Sequence, residues 1–492
     1  MKKNMVALDC GNSSFRTVLG QYDGETIRTE VLTQEEHDMV RVREYDYWDI
    51  LRIYSGLLSG LAKGVQAVPR LDSIGVCTWG VDFGLFDGNG FLLGNPLSYR
   101  NTLGETYLNR LSEAQKRELF FATGILCDKI NSVYLLQGIR DRMPKRWQAA
   151  EKLLMMPDIL TYMLTGKMEH EPSELSTTQL MDVRTEQISP SVCGKMGIAP
   201  ELFCSVGVHG RKIGDLLPAV REAIGAGEAI PVLCVPSHDT AAAVLAIPAE
   251  EEDFIFISSG TWSLIGTELD APRINEAVLK NGFTNEAGAF GTVTLLKNSA
   301  GMFLIQRIRR ELQAERGCTM SWDAIVDMGK AYTGTPLLFD VNNARFFNPR
   351  SMSREIYAYL TDSGQWNGGF DWSVIIRSVY ESMACSYAVA AEQLEEATGK
   401  QYNEIYIVGG GSQNGFLNEL TARRTGKTVV ACGKESTSIG SIAAQLRYFM
   451  PDKTMQDLRA ILRRSVPTKR FGPFPAEPQT VEQYKTLEKG RQ

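Results

Sequence analysis

The sequence contains no C-x-x-C pair. Its nine cysteines, at positions 10, 77, 127, 193, 204, 234, 318, 385 and 432, are odd in number and dispersed. That pattern argues for a reducing compartment and against a structural zinc site. Histidine is scarce: His37, His170, His209 and His238 are far apart and form no metal-ligand spacing. No window approaches the roughly 18 apolar residues that a membrane span requires. Only the four apolar residues Met5–Leu8 precede Asp9, too few for the core of a secretory signal, so a cytoplasmic location is expected. The Asn12-Ser13-Ser14 triplet matches a glycosylation sequon but has no such meaning there. An excess of basic residues is also missing. Lys plus Arg number 52 against 58 Asp plus Glu, a formal charge of -6, so no general field attracts nucleic acid or an anionic membrane.

What is present is an ordinary core-forming composition, 43% hydrophobic and 22% charged over 492 residues. At about 150 residues per domain, two domains are the economical reading. Met5–Leu8 reads as a buried strand, Asp9–Ser14 as a turn and Phe15–Leu19 as a returning strand. A helix is expected over 49–64 with Asp49 as its cap, and strand, turn, strand over 71–87. Residues 103–167 look largely helical, broken by Gly124 and Pro157, and 231–249 runs strand, loop, helix start. A second hairpin at 254–266 echoes the first, with a small polar turn at Ser258-Ser259-Gly260-Thr261. This is either an internal repeat or a coincidence between two hairpins. As a repeat it divides the chain into 1–247 and 248–492, near the acidic run Glu250–Asp253. A long helix at 372–397, strands at 404–408 and 428–432, a helix at 439–449 and a proline-rich surface wrap from Pro467 complete an alternating α/β pattern.

Two motifs are decoys. Thr425-Gly426-Lys427-Thr428 resembles the end of a phosphate-binding P-loop, but position 421 is threonine and a strand, not a helix, follows. Gly409–Asn414 approximates a dinucleotide fingerprint but ends in Asn without the acidic partner. Its three glycines still either let a flat ligand or phosphate approach the backbone or simply make a tight turn. Asp9, with Ser13, Ser14 and Arg16 beside it, has the chemistry for magnesium and phosphate oxygens. Asp239, in His238-Asp239-Thr240, is either a base for a substrate hydroxyl or a helix cap. In Trp79-Gly80-Val81-Asp82, Asp82 could bind sugar hydroxyls and Trp79 stack on a sugar face, or the segment is a core turn. Lys297, Asn298 and Gln306 read as a loop and the helix after it.

Together the segments ALDCGNSSFRTVL (7–19), SIGVCTWGVDFGLFD (73–87), LMMPDILTYMLTGKMEHEPSELSTTQL (154–180) and VPSHDTAAAV (235–244) resemble the FGGY carbohydrate kinases. So do FISSGTWSLIG (256–266), NEAGAFGTVTLLKNSAGMFLIQ (285–306), IVGGGSQNGFLNEL (407–420) and KESTSIGSI (434–442). The segments follow the family's order over nearly the whole chain, and the likeness is strongest to members that phosphorylate L-rhamnulose. The resemblance implies two actin-like (ribonuclease H-like) α/β domains with a catalytic cleft between them, sugar bound mainly by the N-terminal domain and ATP by the C-terminal one. It implies Asp239 as catalytic base, and Gly80, His238, Asp239, Thr240 and Asn298 as the sugar site. Asn12, Ser13, Ser14, Phe15 and Arg16 match the first phosphate loop, Thr261 and Gln306 nucleotide positions, Gly410 and Gly411 the adenosine-binding glycines, and Asp9 the magnesium-associated aspartate. Two departures stand out: Phe15 where glycine is usual, and Asn101 where aspartate is usual. The implied reaction moves the γ-phosphoryl group of ATP, with Mg2+, to the 1-hydroxyl of L-rhamnulose. Kinases of L-fuculose, L-ribulose or L-xylulose are the near alternatives, and a non-catalytic sugar or nucleotide sensor is the distant one. The expected partner is a small ketose, not nucleic acid or membrane.

Overall fold

The computed structural model describes residues 1–489, so the last three residues of the second expected domain lie outside the described residues. The chain forms two compact units that are not contiguous in sequence. The first comprises Met1–Glu250, Glu268–Leu295 and Glu435–Val466; the second comprises Glu251–Thr267, Leu296–Lys434 and the segment from Pro467 onward.

In the first unit β1 (Lys3–Cys10) and β2 (Ser14–Tyr22) form the first hairpin, and β3 (Ile27–Glu36) extends it. β4 (Ser73–Thr78) lies parallel to β1 on its other side. β5 (Lys212–Asp215) and β6 (Pro231–Leu233) complete the order β5-β6-β4-β1-β2-β3. A central strand covered on both faces must be apolar in consecutive residues, not alternate ones; Met5, Val6, Ala7 and Leu8 are all fully buried. Helix α1 (Ile50–Ala67) is capped by the Asp49 side chain, which accepts from Arg52 N at 3.2 Å. It buries Ile50, Ile53, Leu57 and Leu61, the stripe its helical period creates.

The second unit repeats the plan. β7 (Ile255–Ser259) and β8 (Trp262–Leu269) form the second hairpin, and β10 (Glu404–Val408) lies parallel to β7, with β9 (Val293–Ala300) beside β8. β11 (Thr428–Ala431) is parallel to β10, and β12 (Lys469–Phe471) is antiparallel to β11. The order β12-β11-β10-β7-β8-β9 therefore matches β5-β6-β4-β1-β2-β3, and a seventh strand, Thr284–Ala287, lies beyond β9 in the second sheet. The strand Thr428–Ala431 directly after Lys427 is what a P-loop cannot have.

Local expectations differ from the structure in three places. Within 103–167 the structure has a strand, Lys152–Met155, paired with Phe83–Phe86. Pro157 opens the helix Met156–Thr165 instead of breaking one, where its missing N–H costs nothing. Lys297 and Asn298 lie on β9, not on a loop. The tail is more than a wrap, because its prolines spare Lys469–Phe471, which pairs with β11, and Pro478 begins a helix to Lys489. Among the described residues no helix is long and apolar enough to cross a membrane.

Candidate active site

The hairpin register sets Asp9 opposite Arg16. Arg16 Nε donates to Asp9 Oδ2 at 2.9 Å and a second guanidinium nitrogen lies 2.8 Å from the same oxygen. The third guanidinium nitrogen is 2.5 Å from Glu435, and Ser438 Oγ donates to Asp9 Oδ2 at 2.6 Å. Ser438 lies on α2 (Ser436–Phe449), which packs across the first sheet: its Gln445 accepts from Ser73 Oγ and donates to Val6 O. Although burial alone would make Arg16 easier to deprotonate, the charges of Asp9, Glu435 and Asp239 outweigh it and hold the guanidinium protonated. Asp9 and Asp239 also interact, each charge opposing the other.

Asp239 is the first residue of the helix Asp239–Leu245, after His238 at the cap position, so it does not cap that helix. Thr240 Oγ1 donates to Asp239 Oδ1 at 3.2 Å. Burial raises the Asp239 carboxyl above its ordinary value, the Asp9 charge pushes the same way, and His238 opposes both. A carboxylate raised in this way is a better proton acceptor near neutral pH.

Beside Asp239 the chain from Thr78 makes a tight turn. Thr78 N donates to Ser237 O at 2.8 Å, which ties the turn to the His238 loop. Val81 has φ 73, a strained value for a β-branched residue. It is pinned by Ser132 Oγ, which donates to Val81 O, and by Thr177 Oγ1, which accepts from Val81 N. A Cβ on Gly80 would stand 3.0 Å from His238 Nε2, so glycine keeps the space before that nitrogen open. His238 Nδ1 lies 3.2 Å from Glu286 Oε2 and its Nε2 3.5 Å from Asp239 Oδ1.

The Ser259–Thr261 and Gly409–Gly411 turns of the second unit carry no charged side chain. Gly260 N donates to Trp262 O at 2.9 Å, closing the Ser259–Thr261 turn. Helix α3 begins against it: Met302 N donates to Gly260 O and Phe303 N to Thr261 O. Gln306 lies on that helix, Phe303–Arg316, and its N donates to Met302 O. Gly409, with φ 81, turns β10 sharply toward Ser259. A Cβ on Gly411 would fall 2.0 Å from Ser259 Oγ, whereas one on Gly410 would meet nothing within 4 Å. Gly411 therefore joins two turns, and Gly410 presents bare backbone to the surroundings. Thr261, Gln306, Gly410 and Gly411 are thus gathered in one unit, Asp9, Asn12–Arg16, Gly80, His238, Asp239 and Thr240 in the other.

Known families account for this arrangement. A model of the N-terminal domain of the FGGY family of carbohydrate kinases matches residues 4–246, and a model of the family's C-terminal domain matches 255–448. The chain belongs to the FGGY family of carbohydrate kinases. It is 35% identical over 477 residues to a rhamnulokinase of Bacteroides thetaiotaomicron, covering 96% of each chain. It is 34% identical to a rhamnulokinase of Oceanobacillus iheyensis over 94% of this chain and 97% of that one. In fold it is similar to a gluconate kinase of Lactobacillus acidophilus (TM-score 0.80, 14% identity, 99% and 96% covered). A ligand-bound xylulose kinase of the same organism is similar at TM-score 0.79, with 14% identity and the same coverage.

Against the FGGY pattern, three expected residues take other surroundings. Asp82 is fully buried, and its carboxylate accepts from Trp48 Nε1, Trp79 Nε1 and Tyr99 N at 2.5, 2.9 and 2.7 Å. Burial raises it to about 7 against these three bonds. With both oxygens engaged it fixes two tryptophans instead of presenting a face to a sugar, and Trp79, equally buried, has no face free to stack on one. Phe15 points into the core, where α1 leaves room: a Cβ on Gly56 would lie 2.3 Å from the Phe15 ring. Asn298 is exposed on β9 and belongs to the second unit, whereas the other sugar-site candidates belong to the first. The Asn101 departure also has a structural reason. Its amide accepts from Asp46 N and donates to Asp46 O and Ser98 O, and a carboxylate could not make the two donations.

Residues that the sequence reading passed over complete the first-unit site. They are Glu286, Glu435, Ser438, Ser173, Glu171 and Glu174. Glu171 accepts from Ser173 N, Ser173 Oγ, Glu174 N and His209 Nε2, which outweigh burial and lower its carboxyl. Ser173 Oγ in turn accepts from His238 N at 3.1 Å. Glu174 is fully buried, with no hydrogen-bond partner on either oxygen among the described residues. Burial and the carboxylates of Glu171, Asp158, Asp239 and Asp82 push its carboxyl well above the ordinary value. These residues lie in segments that carry the family resemblance, but the partners that tie them to the site are remote in sequence: His209 for Glu171, His238 for Ser173 and Glu286, Arg16 for Glu435 and Asp9 for Ser438.

Proposed function

We propose that this carbohydrate kinase transfers the γ-phosphoryl group of ATP to the 1-hydroxyl of L-rhamnulose, giving L-rhamnulose 1-phosphate and ADP. The observation that carries the reading is Asp239, raised by burial and by the charge of Asp9 in the same unit, together with full-length likeness to rhamnulokinases. Asp239 accepts the proton of the 1-hydroxyl as its oxygen bonds to phosphorus and the bond from phosphorus to the ADP oxygen breaks. Arg16 and the hydroxyls and amides of the β1–β2 turn, Asn12 to Ser14, receive the negative phosphate oxygens. The β7–β8 turn and the bare backbone at Gly410 receive the nucleotide, with Thr261 and Gln306 beside it. Residues 1–247, joined by Glu268–Leu295 and Glu435–Val466 of the same unit, act as the sugar-binding domain, and the rest of 248–492 carries the nucleotide site.

The donor set fits a magnesium ion that arrives with ATP. Among the described residues no group of three acidic, histidine or cysteine side chains forms a resident metal site. Asp9 Oδ2 is taken by Arg16 and Ser438, and the buried Asn12 Oδ1 nearby has no partner. One carboxylate and one amide oxygen suit a cation held mainly by phosphates and water. Bound there, the ion would supply charge neutralisation on the phosphates. The test is product identity: with L-rhamnulose and Mg-ATP, phosphorus NMR and mass spectrometry should show a primary phosphate ester at carbon 1. A different ester position, or phosphate released as inorganic phosphate, would contradict the assignment.

A further inference from the structure

His238 has a carboxylate on each side of its ring. Glu286 Oε2 faces Nδ1 at 3.2 Å and Asp239 Oδ1 faces Nε2 at 3.5 Å. Carboxylate oxygens accept, so a proton on each ring nitrogen has one of them to face. The His238 backbone is fixed separately, because its N–H donates to Ser173 Oγ, which donates to Glu171 Oε2. That leaves the ring's orientation to Glu286. The space before Nε2 is open because residue 80 is glycine; a Cβ there would stand 3.0 Å from that nitrogen.

We propose that Glu286 is a positioning residue of the sugar site, holding the His238 ring so that Nε2–H faces Asp239 and donates to the sugar oxygen next to the reacting hydroxyl. The proposal rests on the kinase reading above. A sugar whose terminal hydroxyl meets Asp239 carries its next oxygen one carbon away, within reach of a donor that faces the same carboxylate. Burial alone would strip the proton from His238. Glu286, Asp239 and Glu171 outweigh burial and push its pKa up to about 9. The groups facing the ring are Asp239 on its own turn, Glu286 from the strand Thr284–Ala287, and Glu171 with Glu174 at the helix Pro172–Ser176. Gly80 and Thr177 add no charge. The donor is therefore present at neutral pH and is lost as pH rises through about 9.

The test pairs an NMR titration of the His238 ring, assigned with His238→Gln, with steady-state kinetics of Glu286→Gln and Glu286→Asp. Glu286→Gln keeps the shape and removes the charge. It should lower the His238 titration, move the alkaline limb of kcat/KM for the ketose to lower pH, and raise the ketose KM about tenfold, the loss expected for a charge-assisted bond. The ATP KM should stay the same, and Glu286→Asp should restore both the titration and the ketose KM. An unshifted His238 titration in Glu286→Gln would overturn the proposal, as would an equal fall in kcat for all conditions with the alkaline limb unmoved. If the wild-type enzyme phosphorylated no ketose, the kinase reading would fall, and the ring titration alone would still decide whether Glu286 sets the state of His238.

Discussion

At the β1–β2 turn, Asp9 pairs with Arg16, and Glu435, Ser438 and Asp239 gather round them. At the topologically equivalent β7–β8 turn, Ser259, Gly260 and Thr261 lie against Gly409–Gly411 with no charge among them. Both turns close a hairpin flanked by a parallel strand, in sheets of the same strand order. One plan has thus been given two chemistries. The first turn is an electrostatic device whose Asp9 charge adds to burial in raising the Asp239 carboxyl. The second is a steric device that leaves bare backbone for a flat ligand to approach.

The contrast breaks most sharply at Asp239. Asp239→Asn should lower kcat by about 10²–10⁴, the range for loss of a general base, while the melting temperature stays near that of the wild type; kinetics with a thermal melt check both. Arg16→Met should act on stability as well. It takes the guanidinium away from Asp9, 4% exposed, and from Glu435, at a cost of about 2–3 kcal/mol in urea unfolding.

In the second unit the effects should separate by position. Gly411→Ala forces a Cβ onto Ser259 Oγ and should cost about 1–3 kcal/mol of stability. Gly410→Val meets open space, so the fold should keep its urea midpoint while calorimetry shows ATP affinity falling more than ketose affinity. Equal losses of both ligands at Gly410 would erase the distinction between the turns.

The smallest effect is in the pH dependence of stability. Asp82 titrates near 7 when folded and near its ordinary carboxylate value of about 4 when unfolded. Unfolding therefore releases a proton between those values. Its stabilising contribution is complete below about pH 4 and is lost as pH rises to about 7. Asp82→Asn should flatten that decline, read from urea midpoints at several pH values; an unchanged slope would place the titration elsewhere.

Much of the fold was legible because its signals are local. Consecutive apolar residues marked β1, β7 and β10, and the echo of one hairpin in the other is visible in the matching strand orders. The strand Lys152–Met155 was hidden because four apolar-rich residues between helices have no period of their own. The site divides in the same way. Asp9, Arg16 and Asp239 stand at strand or helix ends, where charge is conspicuous. Glu286, Glu171 and Ser438 act through partners remote in sequence, and Asp82 looked like a ligand because its three donors come from Trp48, Trp79 and Tyr99.

The most direct measurement is ADP formation from Mg-ATP across L-rhamnulose, L-fuculose, L-ribulose, L- and D-xylulose and glycerol, with Asp239→Asn alongside. In the same preparations calorimetry follows the binding of each ligand. The prediction is a kcat/KM preference for L-rhamnulose larger than the roughly 1–3 kcal/mol of one methylene-sized contact. Turnover should be lost in Asp239→Asn while ATP and ketose binding persist. Turnover that survives in Asp239→Asn would contradict the placement of the chemistry at the charged turn.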